Sequence, residues 1–533
     1  DGGKPEKLNV AIAADFRGNT EKIVPINTGA TEMSLSPNGK EIAFVVRGEI
    51  FVTSVEGGIT KRITNTPQQE RMIAFSNDGR SIYYAAERGN SWDIMKSSIA
   101  RKEEPYFYAS TVLNEEPIVA TEKEEFEPVL SPDGKEIAYL EDRNVLKVYN
   151  LQNKTSRVII PAGQNFSYAD GDQFYTWSPD SKWLVARSSK GRYAASELLL
   201  FKADGSDKDG TDLTHSGFGD GNAEWALNGK ALLWTSDKEG KKPLAYQGAR
   251  EVDVYAMFFD KDVYDRFKLS KEDAALAKEK EDKEAKEKKD TAVKKEPWNP
   301  NLANIDNRKV KLTINSANLS SFELSANGEK LYYLARYEKG YDLWVTDTRT
   351  RETKILAKLE GGAGGMDLSK DGKSLFVLAD GRIVKVDADL GKVTPVTING
   401  EMVLNTNGER AYIFEHAWRQ VKEKFYDPKL HGVKWEDLKK DYARFLPHIN
   451  NNYDFQELLS EILGELNGSH TGGRYAPPQV NTDATASLGI FYDESVGGNG
   501  LKVMEIIPGG PLDNGQSKIK AGNIIEKIDG EAI

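Results

Sequence analysis

The dipeptide Ser469-His470 combines two residue types that can take part in acid–base chemistry. It follows a segment with helical periodicity, and a histidine held rigidly at the end of a packed helix is suited to act as a general base. A histidine in a helix-terminal loop is nevertheless more often a cap or a surface residue. Taken alone, the dipeptide is therefore weak evidence for catalysis.

Several other catalytic centres are excluded by the sequence. The chain has no cysteine, so it has no disulfide, no thiolate metal site and no cysteine nucleophile. It lacks Gly-x-Ser-x-Gly, the nucleophile elbow of propeller-bearing prolyl peptidases, and His-Glu-x-x-His, the zinc motif of the zincins. We therefore expect no metal and no organic cofactor.

Three predicted helices lead up to Ser469-His470, because the apolar spacing changes from a period of two to about 3.6 after about residue 412. The first ends before Pro428 and the second before Pro447. Asp454 and Glu457 have the spacing of a capping box opening the third, and Gly468 stands where a C-cap glycine belongs. The expected buried positions are Phe414, Ala417, Trp418, Val421 and Phe425 in the first helix, and Trp435, Leu438, Tyr442 and Phe445 in the second. In the third helix they are Phe455, Leu458, Leu459, Ile462, Leu463 and Leu466.

A short turn motif, Ser-Pro-Asp/Asn-Gly or a variant of it, recurs seven times before the helical segment. Asp-Gly and Asn-Gly supply the positive φ values of a tight hairpin turn, and alternating apolar residues follow as a strand. Two further turns in the first copy give that unit four strands. Four strands repeated roughly every 40 to 55 residues predict a seven-bladed β-propeller rather than a large β-sandwich. The copies begin at Ser36, Ser76, Ser131, Ser178, Ala226, Ser325 and Ser369.

The gap between the fifth and sixth copies is about twice the usual spacing and contains a run of Lys, Glu, Asp and Ala. We interpret residues 266–297 or so as a charged insertion, either an exposed helix or a disordered segment. The stretch Asp1–Leu8 resembles the end of the first blade, and two interpretations stay open. It is an outer strand of this propeller or the last strand of another propeller upstream.

The bulk composition is that of a globular protein, with 39% apolar and 29% charged residues. The net charge of −11 and the pI near 5.3 argue against nucleic acid or an anionic membrane as the main partner. No apolar run approaches the roughly 18 residues of a membrane span, so we expect no membrane insertion.

The helical segment beyond residue 412 contains a series of spaced motifs: Glu415-His416-Ala417-Trp418, Phe425-Tyr426-Asp427-Pro428, His431-Gly432-Val433, Trp435 and Gly464-Glu465-Leu466-Asn467-Gly468-Ser469-His470. Together these motifs resemble the helical subdomain of tricorn-type proteases, relatives of the carboxyl-terminal-processing peptidases. An upstream propeller with Ser-Pro-Asp-Gly repeats is also typical of that family, so the resemblance extends to nearly the whole chain.

The resemblance implies a Ser-His-Ser-Glu tetrad in which His470 is the general base and Ser469 links it to a distant glutamate. His416 and His431 are packing or turn residues in this resemblance. The family places its nucleophilic serine, an oxyanion donor and the glutamate in a later domain. We therefore expect the 533 residues to be inactive on their own.

From Ser487 onward the chain resembles the first half of a PDZ domain. The resemblance implies that Leu488, Gly489 and Ile490 form the loop whose backbone N–H groups bind a peptide carboxylate. Val503–Leu512 and Gly522–Gly530 match the following strands and turns. The predicted domains are a propeller over 1–411, a helical subdomain over 412–480 and a truncated PDZ domain over 485–533.

The favoured function is a fragment of a tricorn-like serine endopeptidase that degrades peptides or unfolded protein. Its propeller is expected to act as a substrate channel or sieve. A non-catalytic propeller–PDZ scaffold that binds peptides is the alternative, and a periplasmic translocation component explains the repeats but not Ser469-His470. Family habit favours a periplasmic location over a cytoplasmic one, and homo-oligomers for the full-length protein.

Overall fold

A computed structural model describes residues 20–165, 167, 170–189, 195–243, 250–287, 300–362, 364–477 and 487–533. Asp1–Leu8 and the second part of the predicted charged insertion lie outside these residues. The chain divides into two compact units. The propeller unit comprises the described residues up to Leu430 together with Trp435–Asn450, and the C-terminal unit comprises those of His431–Lys434 and Asn451–Ile533. The predicted domain boundaries stay a prediction.

The propeller unit begins with strand β1 (Glu21–Ile26), and its described residues then form seven four-stranded antiparallel sheets of consecutive strands, here called blades 1 to 7. Blade 1 consists of β2 (Ala30–Leu35), β3 (Glu41–Val46), β4 (Glu49–Ser54) and β5 (Thr60–Arg62), and blade 2 of β6 (Glu70–Phe75), β7 (Ser81–Arg88), β8 (Ser91–Ile99) and β9 (Leu113–Val119). Blade 3 consists of β10 (Glu125–Leu130), β11 (Glu136–Glu141), β12 (Val145–Asn150) and β13 (Thr155–Ile160), and blade 4 of β14 (Tyr175–Trp177), β15 (Trp183–Ser188), β16 (Glu197–Lys202) and β17 (Thr211–Asp212). Blade 5 consists of β18 (Asp220–Ala226), β19 (Ala231–Ser236), β20 (Asp253–Phe258) and β21 (Lys309–Lys311). Blade 6 consists of β22 (Asn318–Leu324), β23 (Lys330–Arg336), β24 (Tyr341–Asp347) and β25 (Thr353–Gly361), and blade 7 of β26 (Met366–Leu368), β27 (Ser374–Ala379), β28 (Arg382–Asp387) and β29 (Val393–Pro395). The predicted mainly β fold with a seven-bladed propeller is confirmed.

Each copy of the repeated turn joins the first and second strands of one blade. In blade 1, Ser36 Oγ donates to Asn38 Oδ1 at 2.9 Å and accepts from the N–H of Glu41 at 3.0 Å. The glycine alone adopts positive φ (70° at Gly39), so the prediction that Asn38 shares this conformation is wrong. The Asn38 side chain instead accepts hydrogen bonds within the turn. Equivalent serine bonds occur at Ser76, Ser131, Ser178, Ser325 and Ser369.

Neighbouring blades meet through their first strands, since β2 contacts β6, β6 contacts β10, β14 contacts β18 and β22 contacts β26. The ring closes between blades 7 and 1. There the N–H of Leu35 donates to Asp367 Oδ2 at 2.9 Å, and the N–H of Ala30 donates to the carbonyl of Gly381 at 3.0 Å. The core consists of side chains packed between adjacent blades, such as Phe44 and Phe376.

The charged insertion interrupts blade 5 between its third and fourth strands. Helix α1 (Lys261–Phe267) leads into the insertion, and α2 (Lys271–Glu287) lies within it. Asp260 caps α1, because its carboxylate accepts from the N–H groups of Asp262 and Val263. Short 3₁₀ turns lie at Phe107–Ala109, Leu227–Gly229, Ile305–Arg308, Leu430–Gly432 and Leu446–His448.

After blade 7 the chain forms β30 (Gly400–Asn405), which pairs antiparallel with β1, and then α3 (Thr406–Lys424) and α4 (Trp435–Ala443). The two helices are joined by reciprocal bonds, because each indole N–H of Trp418 and Trp435 donates to the other residue's carbonyl. The C-terminal unit holds α5 (Asn452–Gly464), a sheet of β31 (Ile490–Tyr492), β32 (Leu501–Ile506) and β33 (Ile524–Ile525), and the pair β34 (Lys527–Ile528) and β35 (Glu531–Ala532). None of the helices in the described part of the chain has the length and apolar character needed to cross a membrane.

Candidate functional site

Helix α5 leads to Ser469-His470, and both of its ends differ from expectation. Asn451 is the N-cap, since its side chain accepts from the N–H groups of Tyr453 at 3.0 Å and Asp454 at 2.9 Å. The predicted capping box with Asp454 at its start is therefore wrong. The helix ends at Gly464, and it is Asn467, with φ of 49°, that adopts the left-handed conformation expected for Gly468.

The segment between the helix and Ser469 is fixed at Leu466. Its side chain is buried, like those of Phe455, Leu458 and Ile462 on the predicted apolar face of α5. Its carbonyl accepts a hydrogen bond from Nδ1 of His431 at 2.8 Å. His431 thus anchors the loop through the backbone and has the structural role expected of it.

Ser469 and His470 form a hydrogen-bonded pair in which Ser469 Oγ lies 2.6 Å from His470 Nδ1. Both side chains are exposed, and His470 has a φ of 63°. If Nδ1 carries the proton and donates to Ser469, the lone pair on Nε2 is free to accept a proton from another group. This is the arrangement that a general base requires.

The chain beyond His470 is tied back to α5 at Gly473. Ser460 Oγ accepts from the Gly473 N–H at 2.9 Å and donates to the Gly473 carbonyl at 3.2 Å. Gln456 Nε2 donates to the same carbonyl at 3.1 Å and to Ser460 Oγ at 2.8 Å. Gln456 and Ser460 are four residues apart on one helix, so they share a face. The loop that carries His470 is therefore fixed on both sides, at Leu466 and at Gly473.

His416 lies in the propeller unit, on α3, and serves a different purpose. Its Nδ1 is 3.0 Å from both carboxylate oxygens of Glu87, which also accept from Arg419 at 2.7 Å and from the hydroxyl of Tyr412. Burial, the largest effect, raises the pKa of Glu87, but the hydrogen bonds from His416 and Tyr412 and the charges around it outweigh burial and lower that pKa. This cluster fastens α3 to blade 2.

Leu488 and Gly489 come directly before β31, and Ile490 is the first residue of that strand. Gly489 has a φ of 66°, and a Cβ there would lie 2.7 Å from Cδ of Pro511. Its carbonyl accepts from the N–H of Ile507 at 2.8 Å. Among the described residues, no hydrogen bond joins this loop to Ser469 or His470.

Three carboxylates that sequence reasoning missed come from the first strands of blades 5, 6 and 7. Glu224, Glu323 and Asp367 each stand two residues before a turn motif, which is the signal that could have revealed them. Burial and the charge of Asp367 raise the pKa of Glu323 to about 8. Burial and the two neighbouring carboxylates raise the pKa of Glu224 well above its usual value. We call these residues the acidic wall. In the described part of the chain, no three His, Asp or Glu side chains have the geometry of a metal site.

Comparison with known proteins gives the same result at three levels. The family model "Tricorn protease C1 domain" matches residues 407–464. The "Putative Tricorn-like protease C-terminal subunit" of Sulfurisphaera tokodaii is 23% identical over 76% of this chain and 47% of its own. The "Tricorn protease homolog" of Saccharolobus solfataricus is 21% identical over 93% of this chain and 50% of its own.

A solved structure, "Crystal structure of the tricorn protease", superimposes with a TM-score of 0.67 at 15% identity, over 97% of this chain and 49% of that one. This likeness establishes the fold. The chain spans about half the length of the curated relatives described above. The resemblance to tricorn-type proteases is thus confirmed, and the chain is tricorn-like.

Proposed function

We propose that this chain is the propeller-bearing part of a tricorn-like serine peptidase, with His470 as its general base. The observation that carries the proposal is the exposed Ser469–His470 pair on a loop fixed at Leu466 and Gly473. A base needs a fixed ring and one unoccupied nitrogen, and this pair provides both. The match to the C1 domain of tricorn protease ends six residues before His470.

The proposed reaction is acyl transfer. His470 Nε2 takes the proton of a serine hydroxyl while that oxygen bonds to the peptide carbonyl carbon, and the proton then passes to the leaving amine nitrogen as the C–N bond breaks. This leaves the acyl group on the serine as an ester. The same imidazole then takes a proton from a water whose oxygen attacks the ester carbon, and it returns that proton to the serine oxygen as the C–O bond breaks. The resemblance assigns the nucleophilic serine, the oxyanion donor and the glutamate to residues outside these 533.

The remaining parts of the chain are assigned to substrate handling. We propose that the ring of first strands is the passage for peptides or unfolded segments, and that Leu488, Gly489 and Ile490 bind a peptide carboxylate through their backbone. Because the raised pKa values of Glu323 and Glu224 keep these carboxyl groups largely protonated at neutral pH, the acidic wall would offer hydrogen bonds to a passing peptide rather than a charge that selects basic side chains.

The test compares His470→Ala with His448→Ala in the full-length protein. His448 is also exposed, at the end of a 3₁₀ turn, and takes no part in the proposed site. Hydrolysis of a fluorogenic unfolded peptide is expected to be lost in His470→Ala and unchanged in His448→Ala, with the same circular dichroism for both. Wild-type hydrolysis by His470→Ala refutes the proposal. A full-length wild type that binds peptides without hydrolysing them favours the scaffold.

A further inference from the structure

We propose that the outer edge of β30 binds an extended peptide segment as an added strand. This edge belongs to the propeller unit and faces a cavity of about 540 Å³. Four consecutive residues of β30, Met402 to Asn405, line the cavity. If one face of β30 pointed into the cavity, only alternate residues of the strand would line it. Because consecutive residues line it, the edge of β30 faces the cavity.

The pairing with β1 shows which backbone groups this edge presents. The strand register places Ile23 opposite Val403, and the same register continued places Thr20 opposite Thr406. The N–H of Thr406 donates to the carbonyl of Thr20, so these two residues form a hydrogen-bonded pair. Hydrogen-bonded pairs alternate along antiparallel strands. The N–H and C=O groups of Glu401 and Val403 therefore point away from β1, as does the N–H of Asn405, whose C=O belongs to the N-cap of α3. Pro25, which has no N–H, stands opposite Glu401 and fits this alternation.

This outer edge is recessed. At its start it meets the end of blade 1 through the single bridge Ile59–Asn399, and no further strand pairing covers it among the described residues. Beyond that bridge, α3 forms one wall of the cavity through Glu409, Tyr412 and Ile413. A recessed edge is protected from other sheets, yet a single extended segment can reach it.

The chemistry of the walls points to a peptide with uncharged side chains. The wall charges are already paired: Arg47 with Glu409, Arg62 with Glu49, and His416 with Glu87. Asn65, Gln68 and Gln69, which have uncharged amide side chains, also line the cavity. Backbone donors and acceptors at strand spacing recognise another extended backbone, which is the basis of β-strand addition.

This inference goes beyond the proposed function, because binding at β30 needs neither His470 nor a nucleophile. It is tested on the full chain carrying His470→Ala, so that the probe stays intact. The probe is a fluorescein-labelled peptide of Ser, Thr and Val. The control peptide has the same sequence and label, but alternate backbone nitrogens are methylated. We expect the first to bind, with slower amide exchange at residues 401–405, and the second not to bind.

Val403→Pro removes one outward N–H, and Ile23→Pro makes the same change on the far edge of the same two-stranded sheet. Proline is tolerated where the N–H points outward. We expect Val403→Pro to weaken binding about fivefold, the effect of one hydrogen bond, and Ile23→Pro to leave it unchanged. Ile413→Trp, which fills the cavity from α3, is expected to weaken binding without altering β30.

Three results would overturn the proposal: no binding of the probe, equal binding of the methylated peptide, or equal affinities for Val403→Pro, Ile413→Trp and Ile23→Pro. Self-association of the chain that Val403→Pro abolishes would assign the edge to a second copy instead. Loss of peptide hydrolysis is not a readout here, so failure at β30 and failure of the proposed catalytic role are distinguishable.

Discussion

Ser469 Oγ lies 2.6 Å from Nδ1 of His470, and neither side chain is buried. A hydroxyl at this distance fixes the rotation of the imidazole ring. When the hydroxyl oxygen accepts a hydrogen bond from Nδ1, it also selects the imidazole tautomer that carries its proton on Nδ1. In the Ser-His-Asp triad a buried carboxylate has this role. A hydroxyl carries no charge, so we expect it to need a further acceptor, and the glutamate that the resemblance implies is our proposal for that group.

Replacing Ser469 tests whether the hydroxyl orients the ring. Ser469→Ala in the full-length protein is expected to lower kcat about a hundredfold with little change in KM, since a misplaced base affects the transition state more than binding. Ser469→Thr keeps a hydroxyl and is the matched control, with activity closer to that of the wild type. Steady-state kinetics on one fluorogenic peptide measure both. A wild-type kcat in Ser469→Ala would contradict the assignment.

Ser460 is expected to position His470 from a distance by holding Gly473. Ser460→Ala removes two of the hydrogen bonds that fix the loop, and we expect kcat to fall about tenfold while the free energy of unfolding falls by about 1 kcal/mol. Ser460→Thr, which keeps the hydroxyl, should restore kcat. Comparing kcat with a urea unfolding curve separates the two effects. A loss of stability with unchanged kcat would leave Ser460 a purely structural role.

Glu87 is expected to be one of the most important charges for the stability of the propeller unit. Glu87→Ala leaves Arg419 without its buried partner, which typically lowers the free energy of unfolding by about 3 kcal/mol. Because the folded-state pKa of Glu87 is lowered, its stabilisation is present above the usual carboxyl pKa and is lost as the pH falls below it. The difference between wild type and variant should therefore shrink in acid.

Urea unfolding followed by tryptophan fluorescence, at pH 7 and below pH 4, measures the effect of Glu87. The control is Glu116→Ala, which changes an exposed carboxylate of the same blade that pairs with Lys96. We expect a change below about 0.5 kcal/mol there. Equal effects of the two variants at pH 7 would show that the cluster on α3 contributes nothing special.

Glu323 is expected to destabilise the propeller in alkali. Its folded-state pKa is raised to about 8, mainly by burial and then by Asp367. Its stabilising effect is therefore complete below pH 4.5 and is lost as the pH rises through about 8. Glu323→Gln stays neutral, so we expect it to be more stable than the wild type above pH 8, by about 2 kcal/mol, and equal to it near pH 4.

Thermal melting at the two pH values checks the effect of Glu323. Glu329→Gln is the control, since it changes an exposed carboxylate in the turn of the same blade. A melting temperature for Glu323→Gln that differs from the wild type by the same amount at both pH values would contradict the raised pKa.

The blades could be predicted from sequence because each depends on a local turn. Ser36 bonds to residues only two and five positions away, so the motif and the hydrogen bonds that it makes lie in one short window. Blade 5 shows the limit of this reasoning. It has Ala226 instead of serine, its turn contains Leu227 and Asn228 at positive φ, and its fourth strand follows the charged insertion.

The site was predicted in part, for a similar reason. The apolar face of α5 and the Ser469–His470 pair are local features, whereas the partners that fix the surrounding structure are distant in sequence. His431 reaches the carbonyl of Leu466, and Glu87 is 329 positions from His416. The spacing of residues along the sequence does not predict such long-range pairs. The helix cap at Asn451 was missed because Asp454 also has capping chemistry.

Chemical rescue at position 470 is the most direct test of the central claim that this imidazole removes a proton in peptide hydrolysis. His470→Gly in the full-length protein leaves a space for free imidazole. We predict no measurable hydrolysis without imidazole and a rate that rises and then saturates as imidazole is added, while His448→Gly behaves like the wild type throughout. Hydrolysis by His470→Gly at the wild-type rate in the absence of imidazole would contradict the account.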